Sequence, residues 1–203
     1  MCREILLKGP LCNDKWTLIG NSYGSHYALN YAIVYPEHTS KVILTASPGT
    51  NNQFLVYYSD NINMRYSEKD IEILNKLRQS GKQGSIERMQ ISFKPYFYDQ
   101  SKVVELFDPP KEEIPFFYNF AYFKAAIANP TFLNWDISKE VYETDIPIHI
   151  IQGRQDPVNG TEVQLNERAK NSELTYIERA GHFPWVEQPE AFFSTLRKSL
   201  TDS

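Results

Sequence analysis

A short β-rich run, Trp16-Thr17-Leu18-Ile19, passes through Gly20-Asn21-Ser22-Tyr23-Gly24 directly into a segment with helical spacing. A strand that enters a helix with so little chain between them leaves its central turn residue in strained backbone geometry. The side chain of Ser22 is therefore expected to stand above the end of the strand. Glycine at both flanking positions is expected because a Cβ at either would collide across the turn. Ser22 would also lie at a helix N-terminus, where partial positive charge favours an oxyanion. G-x-S-x-G by itself is a common loop composition, and the strand–turn–helix setting is what gives it weight.

The rest of the chain repeats that alternation on either side of a different middle. From Ser25, the residues Tyr27, Ala28, Tyr31, Ala32 and Val34 recur at helical spacing until Pro36, and Val42-Ile43-Leu44 follows as an unalternated apolar strand. Arg3 to Lys8 reads as one end of a helix stopped by Gly9-Pro10. Beyond residue 144 come a strand over Ile146 to Gln152, a helix around Val163 to Lys170, a strand over Leu174 to Glu178 and a helix from Pro189 to Leu200. Such alternation implies an α/β fold with a parallel sheet. Residues 51–143 hold 18 of the 28 aromatic residues and few β-branched runs, so they read as a mostly helical, aromatic-rich insertion. Asp70 to Leu77 and Glu113 to Ala128 carry helical periodicity there, broken by Gly81-Lys82-Gln83-Gly84 and Asp108-Pro109-Pro110. The expected organisation is a core segment over 1–50, a helical cap over 51–143 and a second core segment over 144–203.

Composition narrows the function classes. A formal charge of −4 with both signs interspersed argues against nucleic acid held by bulk electrostatics. No segment approaches the roughly 20 apolar residues that span a bilayer, and the opening residues lack the apolar run of a secretory leader. Cys2 and Cys12 are the only cysteines, with no histidine cluster near them, so neither a disulfide scaffold nor a cysteine zinc site is expected. The expectation is an intracellular, cytoplasmic protein without metal or cofactor.

A serine hydroxyl becomes a useful nucleophile only with a base in hydrogen-bond reach and a third group to orient that base. The chain has four histidines. His26 lies one turn into the helix after Ser22, and His38 lies beside Pro36 on a surface-like turn. His149 sits inside an apolar strand, as a satisfied core or sheet-edge histidine would. His182, in Ala180-Gly181-His182-Phe183-Pro184-Trp185, follows the last strand, where parallel sheets place chemistry; alone it reads equally as a turn residue or a base. Asp156 follows a strand in Gly153-Arg154-Gln155-Asp156-Pro157, and alone it reads as a plain turn. Together Ser22, Asp156 and His182 occur in the order Ser…Asp…His, each just past a strand of one sheet.

These segments, with Val186-Glu187-Gln188-Pro189 continuing the last, closely resemble the α/β-hydrolase fold family. Ala28 to Pro36 followed by Val42 to Pro48 is most similar to its proline iminopeptidase-type branch. The resemblance covers 1–50 and 144–203, with the insertion where the family carries a helical cap. It implies Ser22 as nucleophile, His182 as general base and then acid, Asp156 as orienting carboxylate and the Tyr23 peptide N–H as an oxyanion donor. It also implies a serine-type reaction, acyl transfer at a small ester, amide, lactone or short peptide, rather than the aspartate chemistry of the dehalogenase and epoxide hydrolase branches. Phe116, Phe117, Tyr118, Phe120, Tyr122 and Phe123 are candidates for an apolar acyl pocket or for cap core. Glu112, Glu113 and Glu140 are candidates, by residue type, to hold a peptide's free amine. One family variant has Glu directly after the acid, where this chain has Pro157, which favours an esterase over a peptidase.

The family has several strands and a second oxyanion donor ahead of the serine turn, whereas fifteen residues precede Trp16 here. The Trp16 to Ile19 strand is thus expected to present an open apolar edge. A missing upstream half, a second chain, a homodimer pairing edge to edge, or a reduced form of low activity would each account for it. A non-catalytic remnant that keeps the three residues and binds a ligand or partner is the rival from another class.

Overall fold

The computed structural model describes residues 15–81, 86–107 and 134–201. Within them four strands form one sheet in the order β1-β2-β3-β4: β1 Trp16–Asn21, β2 Thr39–Thr45, β3 Ile148–Gly153 and β4 Ser172–Ile177. Every pairing is parallel. Helices make the crossovers: α1 Gly24–Val34 joins β1 to β2, and α7 Thr161–Arg168 joins β3 to β4. Between β2 and β3 lie α2 Leu55–Asn63, α3 Glu68–Gln79, α4 Ile86–Phe93, α5 Val103–Leu106 and α6 Ser138–Glu143. After β4 come α8 Pro184–Glu187 and α9 Pro189–Thr201.

Position in the sheet explains the strand patterns. The inner strands β2 and β3 are buried almost throughout, as two covered faces require, while β1 alternates half-buried or buried positions with exposed ones. On one face Val42, Leu44, Ile148 and Ile150 pack against Ala28, Leu29 and Ala32 of α1, Val141 of α6 and Leu165 of α7. On the other, Ile43, Ile151 and Ile177 meet Ala180, Trp185, Phe192 and Leu196. Full burial of such a side chain contributes about 1.5–3 kcal/mol, so these two layers hold the sheet. Ile19 pairs in register with Ile43 and so shares that second face, yet it is 54% exposed. The α8–α9 layer stops short of β1, which is the edge strand among the described residues.

The expected helix over 70–77 is part of α3, which starts at a capping box. The Ser67 hydroxyl accepts from the Asp70 N–H, and the Asp70 carboxylate accepts from the Ser67 N–H. The same buried carboxylate takes a 2.5 Å ion pair from Lys94, tying α3 to the turn after α4. Helices α2, α4 and α5 are too short, at nine, eight and four residues, for a helical repeat to stand out in the sequence. The expected elements over 3–8 and 113–128, and the breaks at 82–84 and 108–110, lie outside the described residues. Phe97, Val103, Phe107 and Phe183 form a third apolar cluster, which seats this helical stretch on the chain leading into α8. Among the described residues no helix is long and apolar enough to cross a membrane.

His26 is 4% exposed on α1 and stacks on Trp135, with ring centroids 3.7 Å apart. Burial lowers its pKa from 6.5 to about 4, so between those values the unfolded chain binds the proton that the folded chain refuses. Stability from this site is therefore intact above about pH 6.5 and lost as the pH falls toward 4, by about 2 kcal/mol at pH 5. Urea melts across pH 4–7 should show that acid slope in the wild type and a flatter one in His26→Phe, which keeps a ring against Trp135.

Candidate active site

The turn after β1 places Ser22 in left-handed backbone at φ +50°, a region that favours glycine. Backbone bonds hold it there: the Ser22 N–H donates to Thr45 O (2.8 Å), and the Ser25 N–H donates to Ser22 O (2.9 Å). Asn21 fastens the same turn through its amide, which donates to Thr45 Oγ1 at 2.9 Å. A Cβ on Gly20 would stand 2.6 Å from Gly24 O and 2.7 Å from Ser25 Cα, so only glycine fits. The matching expectation for Gly24 is not met. A Cβ there meets nothing within 4 Å, because Gly24 already begins α1 and its open side faces away from the turn.

Asp156 follows β3 and is 3% exposed. Its Oδ1 accepts from the Val158 N–H at 2.9 Å, and its Oδ2 accepts from Gln152 Nε2 at 3.0 Å. His182 follows β4 and is 6% exposed. Its Nδ1 lies 2.8 Å from Asp156 Oδ2, and its Nε2 lies 2.9 Å from Ser22 Oγ. A carboxylate only accepts, so the proton is assigned to Nδ1, which leaves the Nε2 lone pair facing the serine hydroxyl. Such a hydroxyl can give its proton to the imidazole as its oxygen attacks an electrophilic carbon.

Close backbone approach makes the meeting possible. A Cβ on Gly153 would overlap the carbonyl oxygens of Ala180 and Gly181, and one on Gly181 would overlap the carbonyl of Tyr96. The two glycines thus let the Asp156 turn, the His182 loop and the segment after α4 lie in contact. The His182 N–H donates to Tyr96 O at 2.7 Å, and the Tyr96 ring sits 5.3 Å from the imidazole. Tyr96 is hydrogen-bonded through its hydroxyl to Tyr58 of α2. Glu187, 3% exposed, accepts from the Gly181 N–H at 2.6 Å and the Asp99 N–H at 2.8 Å. Burial pushes its carboxyl above the usual range, and the backbone donors pull the other way.

Gln152, Gly153, Tyr96, Gly181 and Glu187 thus support the site without a role the sequence reveals. A clue lay in Gln152, the one polar residue in an otherwise apolar strand end. His38 is half-buried in the turn before β2, near the exposed Glu37, His149 is half-buried in β3, and Glu140 is exposed on α6. Glu112, Glu113 and the aromatics of 116–123 lie outside the described residues. Among the described residues, no group of three or more His, Cys, Asp or Glu side chains is placed to hold a metal ion.

A model described as the Alpha/beta hydrolase family matches residues 4–195. The chain belongs to that family. Among relatives of this alpha/beta hydrolase, the proline iminopeptidase of Saccharolobus solfataricus is 22% identical over 97% of this chain and 66% of its own length. The 2-hydroxy-6-oxo-6-phenylhexa-2,4-dienoate hydrolase of Burkholderia cepacia is 26% identical over 88% of this chain and 60% of its own. A solved meta-cleavage product hydrolase of Pseudomonas fluorescens IP01 superposes with a TM-score of 0.66 at 21% identity, covering 93% of this chain and 65% of that one. The alpha/beta hydrolase chain thus spans about two thirds or less of these proteins' lengths, and the structural likeness is one of fold.

The two glycines of the serine turn should separate on substitution. Gly20→Ala is expected to lower stability by about 1–3 kcal/mol through overpacking against backbone. Gly24→Ala should be neutral or gain up to about 0.5 kcal/mol from helix propensity. Chemical denaturation of the two variants measures both.

Proposed function

We propose that this alpha/beta hydrolase is a serine hydrolase that transfers an acyl group to water through Ser22. The observation that carries the reading is the pair of hydrogen bonds on His182, to Ser22 Oγ at 2.9 Å and to buried Asp156 at 2.8 Å. In the proposed reaction Ser22 Oγ bonds to the substrate carbonyl carbon while its proton passes to His182 Nε2, and Asp156 holds the imidazolium. The carbonyl oxygen becomes an oxyanion beside the Tyr23 N–H at the head of α1, where the helix end favours negative charge. Collapse expels the leaving alcohol or amine, which takes the proton from His182. Water then repeats the attack on the acyl-serine, with His182 again as base, and returns Ser22 to its free hydroxyl.

Small esters are the proposed substrate class. The name of the Saccharolobus relative brings N-terminal peptide amides into view. Pro157 argues against them, standing where one variant of the family has Glu directly after the acid. A partner chain or second copy along the β1 edge remains part of the proposal, supported by the exposure of Ile19 there.

Turnover of p-nitrophenyl acetate should fall at least about 10³-fold in Ser22→Ala and nearly as far in His182→Ala, since such groups act as a unit. A fluorophosphonate should add one adduct to the wild type, at Ser22, and none to Ser22→Ala. Turnover retained in either variant overturns the reading. A folded wild type that neither turns over nor labels would support a non-catalytic binding role instead.

A further inference from the structure

Behind the histidine, the acid is held by a side chain that takes no part in proton transfer. Gln152 is 0% exposed at the end of β3. Its Oε1 accepts from the Ser47 N–H at 2.9 Å, and its Nε2 donates to Asp156 Oδ2 at 3.0 Å and to Asn159 Oδ1 at 2.8 Å. Asn159 in turn spends its Nδ2 on the carbonyls of Gly153 (3.2 Å) and Arg154 (3.0 Å). The two ends of this chain leave no choice of orientation. A peptide N–H can only donate and a peptide carbonyl can only accept, so both amides are fixed and Gln152 presents N–H to the carboxylate.

The same amide closes a ring. Ser22 hangs from Thr45 by its N–H, Ser47 lies two residues further along that strand's exit, and Gln152 links Ser47 to Asp156. From Asp156 the path returns through His182 to Ser22 Oγ. The three residues of the site therefore meet twice, once through the imidazole and once through backbone and amide. Oδ2, the oxygen that faces Nδ1, is also the oxygen that Gln152 holds.

We propose that Gln152 is a positioning residue, whose amide fixes Asp156 Oδ2 against His182 and ties that carboxylate to the strand exit carrying Ser22. The proposal rests on the acyl-transfer reading of Ser22, His182 and Asp156. A buried donor on Oδ2, beside the Val158 N–H on Oδ1, takes up part of the negative charge that the carboxylate otherwise presents to the imidazolium. Removing it should hold the protonated imidazole more firmly and leave the carboxylate freer to turn. Among the described residues, the charged or titratable groups around the pair include Tyr58 of α2, Arg65 just past its end, Tyr96 in the turn after α4 and Glu187 of α8. Gln152 spends its hydrogen bonds on Ser47, Asp156 and Asn159 and on none of these groups, so a substitution there leaves their hydrogen bonds in place.

The test is Gln152→Met, which keeps the volume and removes the amide, alongside Gln152→Glu, which keeps the shape and turns donors into acceptors. With p-nitrophenyl acetate, kcat in Gln152→Met should fall about 10- to 100-fold with little change in KM, the usual effect of a lost hydrogen bond to a charge. The acid limb of kcat/KM should move to higher pH, and Gln152→Glu should lose more than Gln152→Met. Proton NMR supplies a readout independent of turnover: the downfield resonance of the His182 Nδ1–H should shift or broaden in both variants. If either variant folds and keeps the wild-type kcat, acid limb and resonance, the proposal is overturned. If the wild type neither turns over nor labels, the acyl-transfer reading fails by itself. The resonance then decides on Gln152, and an unchanged signal in a folded variant sinks its role.

Discussion

Parallel pairing from β1 to β4 sends the carboxyl ends of all the strands to one edge of the sheet, and the geometry of the site follows from that. Ser22, Asp156 and His182 are far apart along the chain and become neighbours because each leaves a strand on the same side. Parallel pairing in turn requires crossovers that cover both faces of the inner strands. The apolar content of β2 and β3, the helices of both layers and the meeting of the three residues are thus parts of one constraint. Ser22 adds its own cost, a side chain held in left-handed backbone at φ +50°. Its bonds to Thr45 and Ser25 hold it there, with Gly20 clearing space beneath.

The sequence carried this much because strand, turn and helix signals are local. An apolar run, a glycine-bounded serine and a following helix can be read within a dozen residues, as can an Asp or His just past a strand. What supports them is not local. Gly153 and Gly181 stand in readable motifs, but their reason is contact between one segment's carbonyl and another's Cα. Gln152 is legible only as a polar residue in an apolar strand end, and its three partners come from two different turns. Gly24 shows the opposite error, a glycine explained by the motif whose space the fold leaves open. Helices α2, α4 and α5 escaped because each is shorter than the stretch over which a helical stripe can be read.

Charge is handled economically in the buried parts. Asp70 is met by Lys94 and its own capping box, and Lys41 donates to the Ser199 carbonyl near the end of α9, where the helix favours a cation. Glu187 is held by backbone N–H groups, with Arg65 near enough for each to feel the other's charge. Removing one partner of such a group leaves buried charge uncompensated, which is why these contacts fix geometry more than they add net stability.

The position of Glu187 has a mechanical side. One carboxylate grips the Gly181 N–H beside His182 and the Asp99 N–H of the helical stretch, while Tyr96 O takes the His182 N–H. Segment 96–99 and the histidine loop are thus riveted at two points a few residues apart. Lifting that segment away from the sheet breaks both rivets at once and frees the backbone that aims the imidazole. A molecule that enters by displacing this flap would find the histidine unaimed until the flap came down again.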